Sequence, residues 1–172
     1  MNEKPMTSPH LSADANAPFA KVDGVFYRAV DPAYRDSALS GSRHPGRYSS
    51  TAQPTLYLSA SRDGVAAAMR AHEDNRSGHL EIVSMHVAAD RICDLRNASA
   101  LAAMGLELED AVAPWQEVVA AGGSPSSWSI RNRLEALGAK GLIDPSRKAP
   151  GLWHLVLFSW NQDDSPTVHM ID

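Results

Sequence analysis

The chain contains 172 residues, which is the length of one ordinary domain. Hydrophobic residues make up 44% of it, enough for a buried core, and this excludes wholesale disorder. The net charge of −4 argues against a dedicated nucleic-acid-binding domain, which is usually basic. We therefore expect a small, mildly acidic globular domain without direct nucleic-acid contacts.

Cysteine and histidine content narrows the chemistry further. The single cysteine, Cys93, cannot form an internal disulfide and is typical of a reducing cytoplasm. The seven histidines show no metal-ligand spacing, so no bound metal is expected. No apolar run approaches the ~20 residues that cross a bilayer, so no membrane association is expected.

The predicted elements alternate between strands and helices. Residues 1–20 show neither helical nor strand periodicity and are expected to form a flexible tail, whereas 162–172 form a second tail or an edge strand. In the domain between them, 21–161, strands are predicted at 24–30, 55–58, 80–87, 92–95, 141–143 and 152–158. Helices are predicted at 64–73, 99–104, 108–121 and 129–137. This order predicts a single compact α+β domain with a mixed β-sheet core and inserted helices.

Familiar catalytic motifs are missing: the sequence has no GxxxxGK[ST], GxGxxG, HExxH or GxSxG. Arg28 lies inside an apolar strand, where it needs an anionic partner or an edge position facing solvent. Arg47 stands between Gly46 and Tyr48, a combination that suits a phosphate or a stacked base but also fits a plain surface loop. By default Tyr57 is a core residue and Ser146 a turn residue.

Six short motifs, in this order, resemble the RES domain family. They are YR (Tyr27, Arg28), GRYS (46–49), LYLS (56–59), SPSSW (124–128), GAKGLIDPSR (138–147) and LVLFSW (155–160). None is decisive alone, but together they extend over 24–161. The resemblance implies a fold similar to that of the ADP-ribosyltransferase toxins. It also implies a toxin of a bacterial toxin–antitoxin pair, with NAD as its substrate and a cognate antitoxin as its partner.

The resemblance also implies which residues form the NAD pocket. Arg28 and Arg47 would be its cations, Tyr27 and Tyr57 its aromatic walls, and Ser146 its hydroxyl. Tyr48, next to Arg47, would contact the substrate as well. Guanidinium groups suit the pyrophosphate of NAD, and tyrosine rings suit its nicotinamide.

The sequence departs from the family pattern at the glutamate. Cleavage of the nicotinamide–ribose bond develops oxocarbenium character, which a carboxylate would stabilise. The family places a glutamate on the helix after the LYLS strand, where this chain has Met69. Glu73 lies one helical turn further on and is the candidate replacement; in the other interpretation the carboxylate is missing.

Two functional hypotheses follow from this departure. In the first, the protein cleaves NAD, either degrading it with water or phosphate or transferring ADP-ribose to a target protein. Arg28, Glu73 and Ser146 are then the catalytic residues. In the alternative, the protein is a weakened NAD-binding or protein-interaction module, with Met69 in place of the acid.

Overall fold

The computed structural model describes residues 8–13, 18–71 and 80–171. The strands in this part of the chain are β1 (His10–Ala13), β2 (Ala20–Val30), β3 (Leu56–Ser59), β4 (Glu81–Asp94), β5 (Gly141–Pro145), β6 (Trp153–Leu157) and β7 (Thr167–Met170). The α-helices are α1 (Arg62–Ala71), α2 (Ala98–Met104), α3 (Leu108–Val112), α4 (Gln116–Ala120) and α5 (Ser126–Ala136). A 3-10 helix at Pro32–Ser37 follows β2. Candidate residue Glu73 lies outside the described residues.

The strands form one mixed sheet that closes on itself. Their order is β1-β2-β3-β6-β5-β4-β7, and β2 also pairs along most of its length with β4. The pairings therefore run from β2 through β3, β6, β5 and β4 back to β2. All are antiparallel except β4–β5. The expected α+β domain with a mixed sheet is confirmed.

Apolar side chains from both halves of this closed sheet fill its interior. Phe26 of β2 pairs with Met85 of β4, and Leu58 of β3 lies in one row with Leu155 of β6 and Ile143 of β5. All five are buried in the same cluster. Because side chains alternate along a strand, the residues between them point to the outer face.

Helices cover part of the outer face. A second cluster there joins Val156 of β6 and Leu142 of β5 to Leu101 of α2 and to Ile130 and Leu134 of α5. Within the described residues, no helix is long and apolar enough to span a bilayer. Tyr48 belongs to this second cluster, and Tyr57 packs against it.

Two predicted boundaries differ from the structure. The segments 80–87 and 92–95 were expected to be separate strands, but β4 is continuous because Ala88 and Ala89 still pair with β2. The helix predicted over 108–121 is instead two short helices, α3 and α4. Pro114 stands between them, and a proline lacks the N–H that a helix interior needs.

The terminal segments contain strands. His10–Ala13 lies within the predicted N-terminal tail and pairs with Ala20–Asp23 of β2, so part of that segment is ordered. Its composition gives no strand signal, since the pairing depends on a neighbouring strand. Thr167–Met170 forms the edge strand that was one expectation for residues 162–172, and it pairs with β4.

Candidate functional site

A row of polar side chains crosses four strands on the outer face. Tyr27 of β2 pairs with Ser59 of β3, Ser59 with His154 of β6, and His154 with Asp144 of β5. Directly opposed residues point to the same face, so these four side chains form one line. The Ser59 hydroxyl and Nδ1 of His154 are 2.9 Å apart and share a hydrogen bond.

The loop between the 3-10 helix and β3, residues 38–55, carries Arg47 and folds over Tyr57. The Tyr57 hydroxyl accepts from the backbone N–H of Tyr48 at 3.1 Å and shares a hydrogen bond with the Ser49 hydroxyl at 2.7 Å. A Cβ at Gly46 would lie 2.5 Å from the Tyr57 hydroxyl oxygen. Any larger residue at position 46 would therefore have to displace the Tyr57 hydroxyl.

Tyr48, Asp144 and Arg147 form a hydrogen-bonded polar triad, in which Tyr48 and Asp144 are buried and the Arg147 side chain is partly exposed. The Tyr48 hydroxyl donates to Oδ1 of Asp144 at 2.7 Å, and Arg147 donates to Oδ1 and Oδ2 at 3.1 Å each. Burial and the adjacent Asp144 charge hold the pKa of Tyr48 well above its ordinary value. Burial by itself lowers the pKa of Arg147, but the Asp144 carboxylate outweighs it and the net direction is upward.

Arg47 lies beside this triad, and no carboxylate of the described residues pairs with it. Its Nη1 donates to the carbonyl oxygens of Ala111 at 3.2 Å and Ala113 at 2.8 Å. Nη2 of Arg147 donates to the same Ala111 oxygen, also at 3.2 Å. Burial lowers the pKa of Arg47, and the positive charge of Arg147 lowers it further.

Arg131 of α5 binds this loop through buried hydrogen bonds. Its side chain is 3% exposed, and Nη1 donates to the Tyr48 carbonyl at 2.9 Å and to the Thr55 hydroxyl at 2.7 Å. Its guanidinium lies over the Phe158 ring, 4.4 Å from the centroid, and pairs with Glu135. Tyr48 and Thr55 of this loop are thereby attached to one buried cation.

The sequence contained a signal for Arg131 that the motif comparison did not use. The buried residues of α5 are Ser127, Ile130, Arg131 and Leu134. Their spacing is that of one helical face, so Arg131 occupies a core position of an amphipathic helix. A cation at such a position needs buried acceptors, which here are the loop oxygens.

The structure brings together three of the predicted site residues. Arg47, Tyr48 and Tyr57 are neighbours in one hydrogen-bonded assembly, and Tyr27 lies further along the polar row. The guanidinium carbon of Arg62 lies 5.1 Å from the centroid of the Tyr27 ring. The Tyr27 side chain is buried, and Arg62 is the first residue of α1.

Arg28 and Ser146 are placed differently. Arg28 pairs with Val83 of the interior cluster, so its side chain leaves β2 on the face opposite to Tyr27. Nη1 of Arg28 donates to the Ala38 carbonyl at 2.6 Å, and burial lowers its pKa. The Ser146 hydroxyl accepts from the Ala149 N–H at 3.2 Å, which is the bond of a turn residue.

The carboxylate that the described contacts place among these residues is Asp144, which sequence reasoning did not select. It directly precedes the Pro-Ser pair of the DPSR motif and lies in the polar row at the end of β5. Met69 is 37% exposed on α1. His154, opposite Asp144, is half-buried, and its pKa is lowered chiefly by burial.

Comparisons with known proteins agree with this fold. The family model for the RES domain matches residues 25–171. A similar solved structure is the M. tuberculosis MbcT–MbcA toxin–antitoxin complex, with a TM-score of 0.55 and 16% sequence identity. The match covers 87% of this chain and 84% of that chain. A search of curated proteins finds no match. Because the family model covers most of the chain, this protein belongs to the RES domain family.

Proposed function

We propose that this protein is the toxin of a toxin–antitoxin pair and that it cleaves the bond between nicotinamide and ribose in NAD. Membership of the RES family and the likeness to a structure of a toxin–antitoxin complex support the first part. The observation that carries the second is the convergence of Arg47, Tyr48 and Tyr57 with Asp144 and Arg147 from three separate segments.

The residue types suit the parts of NAD. Nη2 and Nε of Arg47 have no acceptor within the described residues, so they are available to an anion such as a pyrophosphate. The ring of Tyr57, which is partly exposed, offers flat apolar surface for nicotinamide. A local excess of cations allows an acidic protein to bind this anionic substrate.

The proposed reaction breaks one bond and forms one. The bond between ribose C1′ and the nicotinamide nitrogen breaks, and its electron pair stays on nicotinamide, which leaves as a neutral molecule. The ring is cationic in NAD, so its departure needs no strong general acid. An oxygen of water, phosphate or a target side chain then bonds to C1′, and an acceptor hydroxyl releases its proton.

A second candidate is a module that binds NAD without cleaving it. Met69 stands where the family pattern has its glutamate, and both oxygens of Asp144 are already engaged by Tyr48 and Arg147. A carboxylate held in that way positions its neighbours and is poorly placed to stabilise a ribosyl cation. Under this alternative, NAD raises the melting temperature and is recovered intact.

Incubation of the purified chain with NAD distinguishes the two candidates. Released nicotinamide is measured by chromatography with buffer alone, with phosphate and with cell lysate, which separates hydrolysis, phosphorolysis and transfer. We expect release with the wild type and with Arg96→Gln, whose cation pairs with Asp94 and lies over the Trp153 ring. Arg47→Gln should lose most of it. Intact NAD under all three conditions, from folded protein, contradicts the enzymatic proposal.

The Glu73→Ala variant tests the missing carboxylate. If Glu73 replaces the family glutamate, this variant loses nicotinamide release while it still binds NAD. Unchanged release rejects that assignment. Met69→Glu then provides the complementary experiment, because a restored acid at the family position should raise the rate if the natural chain is a weakened enzyme.

An antitoxin is the expected protein partner. We propose that it covers the pocket around Arg47 with an acidic or apolar terminal segment, because such a segment would mask the cations and aromatic rings. Binding of NAD to the purified complex is the test. A complex that binds NAD as well as the free toxin does would contradict this placement.

A further inference from the structure

The cation that lies beside Arg47 in the structure is one that the motif comparison did not select. The resemblance pairs Arg47 with Arg28, but Arg28 lies on the opposite face of β2. The cation beside Arg47 is Arg147, because both donate to the Ala111 carbonyl oxygen at 3.2 Å. Two guanidinium groups from distant parts of the chain thus meet at one oxygen atom.

The charges at this meeting point do not cancel. Asp144 pairs with Arg147 through both of its oxygens and also accepts from Tyr48. Within the described part of the chain, Arg47 donates to the two carbonyl oxygens of Ala111 and Ala113 and to no carboxylate. Two cations therefore share one anion, and the neighbouring positive charge disfavours the charged form of Arg47.

Stability alone does not explain this arrangement. The Arg147–Asp144 pair satisfies the buried Tyr48 hydroxyl without help from Arg47. Placing Arg47 beside it adds repulsion between like charges and the cost of partial burial. Such an arrangement becomes favourable when an anion binds between the two cations.

The two guanidinium groups are also accessible. The Arg147 side chain is 29% exposed and Arg47 is half-buried, whereas Asp144 and Tyr48 lie beneath them. Arg47 and Arg147 therefore lie nearer to solvent than the Asp144 carboxylate does. Each guanidinium carries five N–H donors in a planar fork, and the described contacts occupy Nη1 of Arg47 and both Nη atoms of Arg147.

We propose that Arg47 and Arg147 form a double-arginine site that binds the two phosphates of a dinucleotide, with Asp144 as the positioning residue that orients Arg147. The identity of the ligand rests on the proposed function, whereas the anion site itself does not. Inorganic pyrophosphate, which has no nicotinamide or ribose, is therefore the direct probe.

Isothermal titration with pyrophosphate and with NAD tests the double-arginine site. We expect Arg47→Gln and Arg147→Gln each to weaken pyrophosphate binding about tenfold or more, as loss of a charge-assisted contact would. Arg147→Lys should retain part of the affinity because it keeps the charge but not the fork. Arg96→Gln is the matched control and should bind as the wild type does.

A further variant separates ligand binding from folding. Arg147→Gln leaves Asp144 without its cation, whereas the double variant Arg147→Gln/Asp144→Asn removes both charges and restores balance. If the double variant melts near the wild type and still binds pyrophosphate weakly, Arg147 is a ligand-binding residue. If it binds pyrophosphate as tightly as the wild type does, the proposal is wrong.

Failure of the enzymatic proposal would look different. If the protein binds pyrophosphate through both arginines but leaves NAD intact, the double-arginine site is supported and the proposed reaction is rejected. If the Arg147→Gln variant cleaves NAD with unchanged KM, the proposed reaction is supported and Arg147 is rejected as a phosphate-binding residue.

Discussion

The Tyr48 hydroxyl lies 2.7 Å from Oδ1 of Asp144, and the two residues come from opposite ends of the domain sequence. This bond attaches the Arg47 loop to the end of β5. Because both side chains are buried, water does not readily replace this hydrogen bond, and its loss is costly.

Removing that hydroxyl should destabilise the fold. Tyr48→Phe is expected to lower the free energy of unfolding by about 1.5–3 kcal/mol, the range for a hydrogen bond to a charged group. Urea unfolding followed by circular dichroism measures it. Tyr34→Phe is the control, because Tyr34 is 68% exposed and its loss of a hydroxyl should change little.

Arg131 should contribute more to the free energy of unfolding than Arg133 of the same helix does. Arg131→Met leaves the Tyr48 carbonyl and the Thr55 hydroxyl without their buried donor, so we expect a loss of about 3 kcal/mol or more. Arg133→Met, on the exposed side of α5, should cost below about 1 kcal/mol. Equal unfolding midpoints for the two variants would contradict the supporting role of Arg131.

A methyl group at position 46 should displace Tyr57. Gly46→Ala places a Cβ 2.5 Å from the Tyr57 hydroxyl oxygen and should cost about 1–3 kcal/mol. A double-mutant cycle identifies the cause. In the Tyr57→Phe background the same substitution should cost less, because the nearest clashing atom is gone. Additive losses would point to a different origin.

His154 should make stability depend on pH. Burial lowers its folded pKa below the ordinary value of 6.5, so the unfolded chain binds a proton first. Stability is then complete above pH 6.5 and falls as the pH drops below it towards the folded pKa. Unfolding from about pH 8 to about pH 5 should show this fall for the wild type and a smaller one for His154→Gln. Parallel curves for the two proteins would contradict it.

Cys93 should resist thiol reagents until the protein unfolds. Burial and the adjacent Asp94 charge raise its pKa to about 12, so the reactive thiolate is scarce at neutral pH. Alkylation followed by mass spectrometry should be slow in the native protein and fast in urea. Rapid labelling of the native protein would mean that this part of β4 opens easily.

The sequence predicted the strands that bear clear local signals. Leu56–Ser59 and Trp153–Leu157 have the expected composition, and the structure places both in the sheet. His10–Ala13 lacks such a signal, because its pairing with β2 decides its conformation. Local patterns also located the helix break poorly, since Pro114 interrupts an otherwise helical segment.

Sequence reasoning selected some residues of the candidate site but not the assembly that they form. Motif resemblance selected Arg47, Tyr48 and Tyr57, which the structure brings together. Asp144 and Arg147 flank a recognised Pro-Ser pair and were overlooked, because their importance comes from contacts with a loop distant in sequence. The facing direction of Arg28 depends on the register of β2 with β4, which composition does not reveal.

The closed sheet also governs when this protein can act during its own synthesis. β3 pairs with β6, and the Arg47 loop is fastened by Asp144 and Arg147 near the C-terminal end. A chain still on the ribosome therefore cannot complete its site until β5 and β6 have emerged. Under the proposed function, a product truncated before β5 should release no nicotinamide from NAD.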